Sequence, residues 1–476
     1  MRTSTGTLFI VAALCAACHN GSGGGAAPAS SSFGAEVRLD TDLPGAGDSD
    51  GPQLIVDGAR IYAVWRDDRQ GVEALFFNRS TDGGVTWLDD DVFVAGSEGA
   101  GMGDNPTQFC SDGDRLYLSW GHDPLGDGKD DIFVSASTNG GLTWFADPAQ
   151  IDGNGPGSSD GDDPAIGCSG ATVVVVWKDD RFGGGDEILY NRSTDGGVTW
   201  DGEELLRDVP PGFTDSRRHR IEVDGDTVAI CWMDARDGEY DIFLSCSTDG
   251  AETWAVSNVR VEADTPGAAD SAEPQLVLEG SEILVVWEDH RDDGPTGDVY
   301  VQRSVDFGAT WLAEDVRLDD APPGEKTHEI EMRRDGPNVI VIWELERFSS
   351  EIGFMNSIYA NASADGGATW LPQEVRVDDK PTPTSDADDA DVCISGTNVL
   401  VVFEDNRDGK DDIRGAFSTD GGATFGESVR AETDAPGATQ SDDPEVACSA
   451  EAVFLLWEDD RNGEGDIYGV PATFDQ

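Results

Sequence analysis

The chain has 476 residues, enough for two or three ordinary domains, and its hydrophobic fraction of 38% is adequate for a core. Its formal net charge is −64, because 95 acidic residues face 31 basic ones. A polyanion of this size is repelled by nucleic acid and by anionic lipid headgroups, which excludes nucleic acid as a partner and favours cations.

The first 18 residues have the features of an export signal: a positive start, an apolar run over 8–14 and small residues before Cys18. They resemble the lipobox of bacterial lipoproteins, with Cys15 where Leu is usual, and the resemblance implies a lipid on Cys18. Residues 19–33, rich in Gly, Ala and Ser, are predicted to form a flexible tether. We expect a cell-envelope protein that touches the outer membrane only through this lipid; plain secretion is the alternative.

An eight-residue phrase, Ser-Thr-Asp-Gly-Gly-Val-Thr-Trp, stands at Ser80–Trp87 and again unchanged at Ser193–Trp200. Its variants occur at Ser137–Trp144, Ser247–Trp254, Ser304–Trp311, Ser363–Trp370 and Ser418–Phe425. The seven copies lie 54 to 59 residues apart. A period of this length, with several short apolar runs per unit, is typical of a radially repeated β structure.

One repeat shows the pattern of four short strands. They are predicted at 165–168, 172–177, 187–191 and 204–207. The second is almost wholly valine, whose β-branched side chains suit a buried sheet. The phrase at Ser193–Trp200 is the turn between the third and fourth strands. Four antiparallel strands joined by short turns make one propeller blade.

A second signature sets the number of blades. A large aromatic residue ends the second strand of eight units: Trp65, Trp120, Trp177, Trp232, Trp287, Trp343, Phe403 and Trp457. The last unit stops after its third strand, whereas the folded chain begins with 36–40, which matches the fourth strands at 315–319 and 374–378. We predict an all-β fold, a single eight-bladed propeller over 34–476 whose ring is closed by the N-terminal strand. The thirteen tryptophans all fall at this position or in the phrase, so we interpret them as packing residues.

Six cysteines follow the signal. Four take the same place in their repeats, in neighbouring units two by two: Cys110, Cys168, Cys393 and Cys448. The other two, Cys231 and Cys246, lie on strands that a short loop brings side by side. An exported protein can oxidise such pairs. We predict the disulfides Cys110–Cys168, Cys393–Cys448 and Cys231–Cys246; buried free thiols are the alternative.

The pattern Ser-x-Asp-x-Gly-x-Thr-Trp resembles the Asp-box, or BNR repeat, of the sialidase-like β-propellers, over nearly all of 34–476. Strands alternate in direction, so turns 1–2 and 3–4, the boxes included, share one face of the disc, and loops 2–3 and 4–1 share the other. In sialidases the active site lies on the face opposite the boxes. The resemblance therefore implies that any site here is built from loops 2–3 and 4–1.

The resemblance stops short of the sialidase active site. That family uses three arginines, a Tyr–Glu pair and an Asp, and its first arginine lies in a Phe/Tyr-Arg-Ile-Pro motif. The nearest sequence here is Ala59-Arg60-Ile61-Tyr62, which begins an ordinary second strand. We therefore expect binding without catalysis.

Loop 2–3 begins with Trp-x-Asp-x-Arg in most blades. The pairs are Asp67/Arg69, Asp179/Arg181, Asp234/Arg236, Asp289/Arg291, Asp405/Arg407 and Asp459/Arg461. Six repeated pairs indicate a structural ladder rather than a substrate clamp. The same loops continue with acidic and glycine residues, and Asp127, Asp130, Asp408 and Asp411 are weak candidates for Ca²⁺ ligands, the only cofactor the sequence suggests. The alternative is that these aspartates serve only turn structure and solubility.

Two blades depart from the repeat in loop 4–1. Blade 4 carries Arg217, Arg218, His219 and Arg220, and blade 6 carries His328 and Glu329, with Arg347 after its second strand. These are the only concentrated basic residues of the chain, and we expect them near the mouth of the channel. Arginine forks suit an anionic ligand such as a sugar acid; the alternative is that they neutralise neighbouring carboxylates.

The function that these features favour is a monomeric, surface-anchored propeller that binds a carbohydrate or protein ligand on the face opposite the boxes. An exo-acting glycosidase of the sialidase type and a structural envelope module are the alternatives.

Overall fold

The computed structural model describes residues 31–99, 107–153, 155–206, 210–255, 257–292, 296–322, 325–349, 353–380 and 385–474. Their regular structure is all β. No helix in these ranges is long and apolar enough to cross a membrane. The signal over 1–18, with Cys18, and most of the tether lie outside the described residues.

The strands form eight antiparallel sheets, the blades of a propeller, which confirms the predicted fold. Strand 1 lines the axis: Ser49–Asp57, Gln108–Asp112, Gly161–Ser169, Ser216–Asp224, Ser271–Glu279, Lys326–Asp335, Ala387–Ser395 and Ser441–Cys448. Strand 2 follows: Arg60–Asp67, Arg115–His122, Thr172–Asp179, Thr227–Asp234, Glu282–Asp289, Asn338–Ser349, Asn398–Asp405 and Val453–Asp459. In blade 6 the short strand Gly353–Met355 pairs back onto strand 2.

Strands 3 and 4 complete each blade towards the rim. Strand 3 comprises Ala74–Ser80, Asp131–Ser137, Glu187–Ser193, Asp241–Ser247, Asp298–Ser304, Ile358–Ser363, Asp412–Ser418 and Asp466–Thr473. Strand 4 has two residues in blades 1 to 7: Val92–Phe93, Ala149–Gln150, Glu204–Leu205, Val259–Arg260, Val316–Arg317, Val375–Arg376 and Val429–Arg430.

The outer edge of blade 8 comes from the other end of the chain. Val37 and Arg38 pair with Gly469 and Tyr468, as the sequence predicts, and this closes the ring. Ser32–Phe33 adds a second short strand on Asp466–Thr473. Hydrogen bonds between the two ends of the chain therefore hold the first and last blades together.

The core consists of eight apolar layers, one between each pair of neighbouring blades. Strand 2 is buried on both faces, which is why Val173–Val176 are wholly buried and why the run shows no polar alternation. The aromatic residues that end strand 2, Phe403 among them, are almost wholly buried. The interpretation of these tryptophans as packing residues is confirmed.

Two of the three predicted disulfides are present, Cys110–Cys168 and Cys393–Cys448, with Cα atoms 6.1 Å and 5.7 Å apart. Each joins the innermost strands of two neighbouring blades. The third prediction is wrong, because Cys231 and Cys246 are buried free thiols. Cys231 lies opposite Leu244, and Cys246 lies opposite Ala229. The two are thus diagonal neighbours, about 7–8 Å apart in a sheet, beyond the reach of a disulfide.

Candidate functional site

The face that carries the phrase, here called the box face, is held by local hydrogen bonds. In the copy at Ser193–Trp200 the Thr199 amide donates to Asp195 Oδ1 at 2.8 Å, and the Thr199 hydroxyl donates to Oδ2 at 2.6 Å. Gly196 donates to the carbonyl of Ala171 in turn 1–2 of the same blade at 2.9 Å, which places both turns on this face. The aspartate therefore serves its own turn.

The opposite face, here called the loop face, is organised by the Asp–Arg ladder. In blade 5, Asp289 is wholly buried and accepts hydrogen bonds from Arg291 Nε at 2.8 Å and Trp287 Nε1 at 2.9 Å. Arg291 also contacts Asp315, next to strand 4, at 2.6 Å. These contacts tie loop 2–3 to the outer strand, and they confirm the structural interpretation of the ladder.

The central channel owes its shape to a β-bulge near the start of strand 1. In seven blades one residue at the bulge, here called the bulge residue, has a positive φ between 46° and 53°. The seven are Gly51, Asp163, Arg218, Glu273, Glu329, Asp389 and Asp443. Six of them line the cavities of the channel. This conformation is uncommon for residues other than glycine, so the repeated bulge positions polar side chains at some cost in backbone strain.

A cavity of about 420 Å³ occupies the loop-face half of the channel. Arg218 and Arg220 line it together with glutamines of three other blades: Gln53, Gln108 and Gln275. The Arg218 side chain is 56% exposed, and its one ion pair with a described residue, Glu273, is long at 3.4 Å. Arg220 makes no ion pair with any described residue; its Nη1 donates to the His219 carbonyl at 3.1 Å. Two guanidinium groups are thus available to a ligand in this cavity.

His219 lies in the wall of the same cavity and is only 2% exposed. Neither of its ring nitrogens completes a hydrogen bond with good geometry among the described residues, although the backbone of Asp163 and of Val176 lies close to the ring. Burial lowers the pKa of His219 to about 4, so the imidazole is neutral at pH 7. A neutral imidazole offers one donor and one acceptor to whatever occupies the cavity.

Two other arginines that the sequence suggested as ligand residues, Arg217 and Arg347, contact protein side chains instead of the cavity. Arg217 pairs with Asp215 and lies over the Tyr240 ring, 4.8 Å from its centroid. Arg347 pairs with Glu325 at 2.6 Å and contacts the Tyr359 hydroxyl at 2.9 Å.

In blade 6, His328 lies 3.9 Å from Glu344, whereas Glu329 lines the channel as a bulge residue. Of the seven predicted ligand residues, the structure brings Arg218, His219, Arg220 and Glu329 to the channel. Arg217, His328 and Arg347 face other partners: Arg217 and His328 lie just before the register shift of their strand, and Arg347 lies on strand 2.

Sequence reasoning missed an ion-pair cluster deeper in the channel. Arg333 contacts Glu331 at 2.6 Å and Asp391, in the next blade, at 3.0 Å. Burial raises the pKa of Asp391 to about 6. A signal was available in the sequence: Arg333 lies on an innermost strand at the position where blades 5 and 7 carry Val277 and Cys393.

Strand 2 carries a buried glutamate towards the loop face in blades 6 and 7. Glu344 and Glu404 directly follow the aromatic residue of their strand and are 1% and 5% exposed. Burial, reinforced by neighbouring aspartates, raises the pKa of Glu344 to about 9 and that of Glu404 to about 10. Glu458 in blade 8 follows the same pattern, with a pKa raised to about 8.

Four groups of carboxylates have ligand atoms within 4.8 Å of one another among the described residues. In three of them an arginine lies within the group: Arg38, Arg260 and Arg430 respectively. Only Asp388, Glu404 and Asp411 lack such an arginine, and these three suit Ca²⁺ best. Of the candidates named from the sequence, Asp411 belongs to this group, and Asp127, Asp130 and Asp408 belong to none. Calcium binding stays a prediction.

No protein-family model and no curated protein matches this chain. Among solved structures, an ulvan lyase of polysaccharide lyase family 25 matches at a TM-score of 0.50 and 12% identity, covering 91% of this chain and 95% of that one. The polysaccharide lyase Uly1 matches at 0.49 and 10% identity, covering 90% and 100%. A Trypanosoma rangeli sialidase, in complex with the inhibitor DANA, matches at 0.39 and 10% identity, covering 77% and 54%. At such identities the likeness shows the fold alone.

Proposed function

We propose that this protein is an exported, non-catalytic binding module that holds an acidic carbohydrate in the loop-face half of its central channel. We propose that a lipid on Cys18 holds the protein in the cell envelope; the alternative is that the protein is secreted. The observation that carries it is the pair Arg218 and Arg220. Both line one cavity, and within the described chain the only ion pair that either makes is the long one of Arg218 with Glu273.

The chemistry of the cavity suits a carboxylated sugar. A volume of about 420 Å³ lies within the range of small-ligand sites. Guanidinium groups bind carboxylates through two parallel hydrogen bonds. His219 and the glutamines offer hydrogen-bond donors and acceptors to sugar hydroxyls. No tyrosine lines this cavity among the described residues, which supports binding over sialidase chemistry. One fold neighbour, the ulvan lyase, is a polysaccharide lyase.

Calorimetry with glucuronic acid, and with glucose as its neutral counterpart, tests the proposal. We expect binding of the acid only, and a loss of affinity of about tenfold or more in Arg220→Ala and in Arg218→Ala, since a hydrogen bond to a charged group contributes about 1.5–3 kcal/mol. Arg217→Ala is the matched control, because this neighbouring arginine faces Asp215 and Tyr240 instead of the cavity. A fluorogenic sialoside should remain intact.

Equal losses in all three variants, or equal binding of glucose, would contradict the proposed site. Release of the fluorophore, abolished by Arg220→Ala, would replace binding by catalysis at the same place.

A further inference from the structure

The bulge residues form a ring of equivalent positions whose charges are unevenly distributed. Arg218 in blade 4 is the one basic member among those described. Two acidic members lie beside a basic residue: Lys178 contacts Asp163 at 2.8 Å, and Arg218 itself makes the long ion pair with Glu273 at 3.4 Å.

The remaining acidic members are consecutive. Glu329, Asp389 and Asp443 belong to blades 6, 7 and 8, and none of them pairs with a lysine or arginine of the described chain. In a ring of eight blades, blade 8 lies directly across the axis from blade 4. The channel mouth therefore has a basic wall at blade 4 and an acidic wall that extends from blade 6, where the charge of Arg218 opposes the rise in the pKa of Glu329, to blade 8 on the opposite side.

The two walls belong to one continuous space. A second cavity, of about 310 Å³, lies on the acidic side and is lined by six carboxylates: Glu329, Glu331, Asp389, Asp391, Asp443 and Glu445. It shares Gln53, Glu331, Arg333 and Glu445 with the cavity of Arg218 and Arg220. The buried His219 lies in the wall of this joined space, and its ring nitrogens complete no hydrogen bond with good geometry among the described residues, although the backbone of Asp163 and Val176 is near. This is a separate observation in favour of a ligand in the channel.

We propose that the ligand is zwitterionic, an amino-sugar acid whose carboxylate meets Arg218 and Arg220 while its ammonium group meets Glu329, Asp389 and Asp443. This inference rests on the proposed function, which accounts for the carboxylate of the ligand, and adds a positively charged group to that ligand. A metal ion suits the acidic wall less well, since none of the three carboxylates belongs to a group with ligand atoms within 4.8 Å of one another. An ammonium group reaching in from a sugar ring needs no such close set, because its three donors point outwards in different directions.

The burial of the acidic wall agrees with this assignment. Burial and neighbouring carboxylates raise the pKa of Glu329 and of Asp443 above the ordinary range. A cation beside them would offset that penalty, as a nearby opposite charge favours the ionised carboxylate. Selectivity of this kind requires two charges at a fixed separation, which a rigid ring of strands provides.

Calorimetry with three sugars of one ring type tests the inference: glucuronic acid, glucosamine and 2-amino-2-deoxyglucuronic acid. We expect 2-amino-2-deoxyglucuronic acid to bind about tenfold more tightly than glucuronic acid, a difference of about 1.4 kcal/mol in binding free energy. Glucosamine should bind most weakly of the three. In the triple variant Glu329→Gln, Asp389→Asn, Asp443→Asn this advantage should disappear, while glucuronic acid still binds.

The control variant carries the same change of charge outside the channel, Asp89→Asn, Asp90→Asn, Asp147→Asn, all at exposed positions. It should retain the selectivity. Equal affinities for the two acids, or selectivity that survives in the first triple variant, would overturn the zwitterion and leave the proposed function standing.

Two further outcomes also decide the matter. Glucuronic acid binding that requires added calcium and is abolished by a chelator would assign the acidic wall to a metal ion, and would overturn the inference. Binding of none of the three sugars would overturn both proposals.

Discussion

The two faces of the disc share one scaffold and differ in how much they repeat. On the box face the same turn recurs with the same hydrogen bonds; even where blade 2 has Asn139, its side chain accepts the Thr143 amide at 3.0 Å. On the loop face the bulge residue keeps its backbone angle but changes from Gly51 to Arg218 to Asp443. Repetition therefore marks the elements that hold the blades together, and variation at a fixed geometry marks the place where specificity can arise.

The largest expected effect comes from the disulfides, which staple the box-face half of the channel. Replacing Cys393 and Cys448 by serine should lower the free energy of unfolding by about 2–4 kcal/mol, because the bond that restricts the unfolded chain is lost. Urea denaturation measures this. The unfolded, unreduced segment 31–476 should show two reactive thiols, Cys231 and Cys246. Six reactive thiols would show that neither disulfide is present.

A smaller effect of opposite sign is expected on the loop face. Glu404→Gln should stabilise the protein at pH 8 by roughly 1–3 kcal/mol, because glutamine needs no proton to remain buried and its carbonyl still accepts the Asp443 amide. The pKa of Glu404 is raised from 4.5 to about 10 in the folded protein. The stability that the protonated carboxyl contributes is therefore complete below about pH 4.5 and is lost as the pH rises towards 10.

The gain from Glu404→Gln should therefore shrink at pH 4 and grow at pH 8, as followed by thermal melts at both values. The exposed Glu427→Gln is the control and should change little at either pH. A loss of stability at pH 8 would mean that the ionised Glu404 carboxylate is required, as it would be for a calcium ligand beside Asp388 and Asp411.

The smallest effect is expected at a single box turn. Hydrogen bonds from Thr253 lower the pKa of Asp249 to about 2, so the stabilisation is present above pH 3.8 and is lost as the pH falls through 2. Asp249→Ala should lower the Tm at pH 7 by about 1 °C, since one exposed turn of several is affected. Asp249→Asn should cost less, as Asn139 fills this place in blade 2. A larger loss for Asn than for Ala would contradict this account of the turn.

Much of the site could be located from the sequence but not assembled from it. The departures from the repeat at Arg218, His219 and Arg220 pointed to blade 4 and to loop 4–1, and the structure places these three residues in the wall of one cavity. The sequence did not separate Arg217 from Arg218, because the bulge between Arg217 and Arg220 breaks the alternation that would have sorted them. It also left the acidic wall unseen, since Glu329, Asp389 and Asp443 become neighbours only when blades 6, 7 and 8 meet at the axis.

What the sequence determined by itself is the repeated part of this protein: eight blades, their strand order, the ring closure by Val37–Arg38, and the ladder of aspartates and arginines. A repeat can be recognised in the sequence because each blade buries the same faces in the same way, so the same pattern of apolar and turn residues recurs at a nearly constant spacing. The tertiary structure decided everything that depends on register and on distance between blades. It left Cys231 and Cys246 as free thiols, and it set Arg218 and Arg220 across the channel from three carboxylates, because such contacts join residues that no local pattern connects.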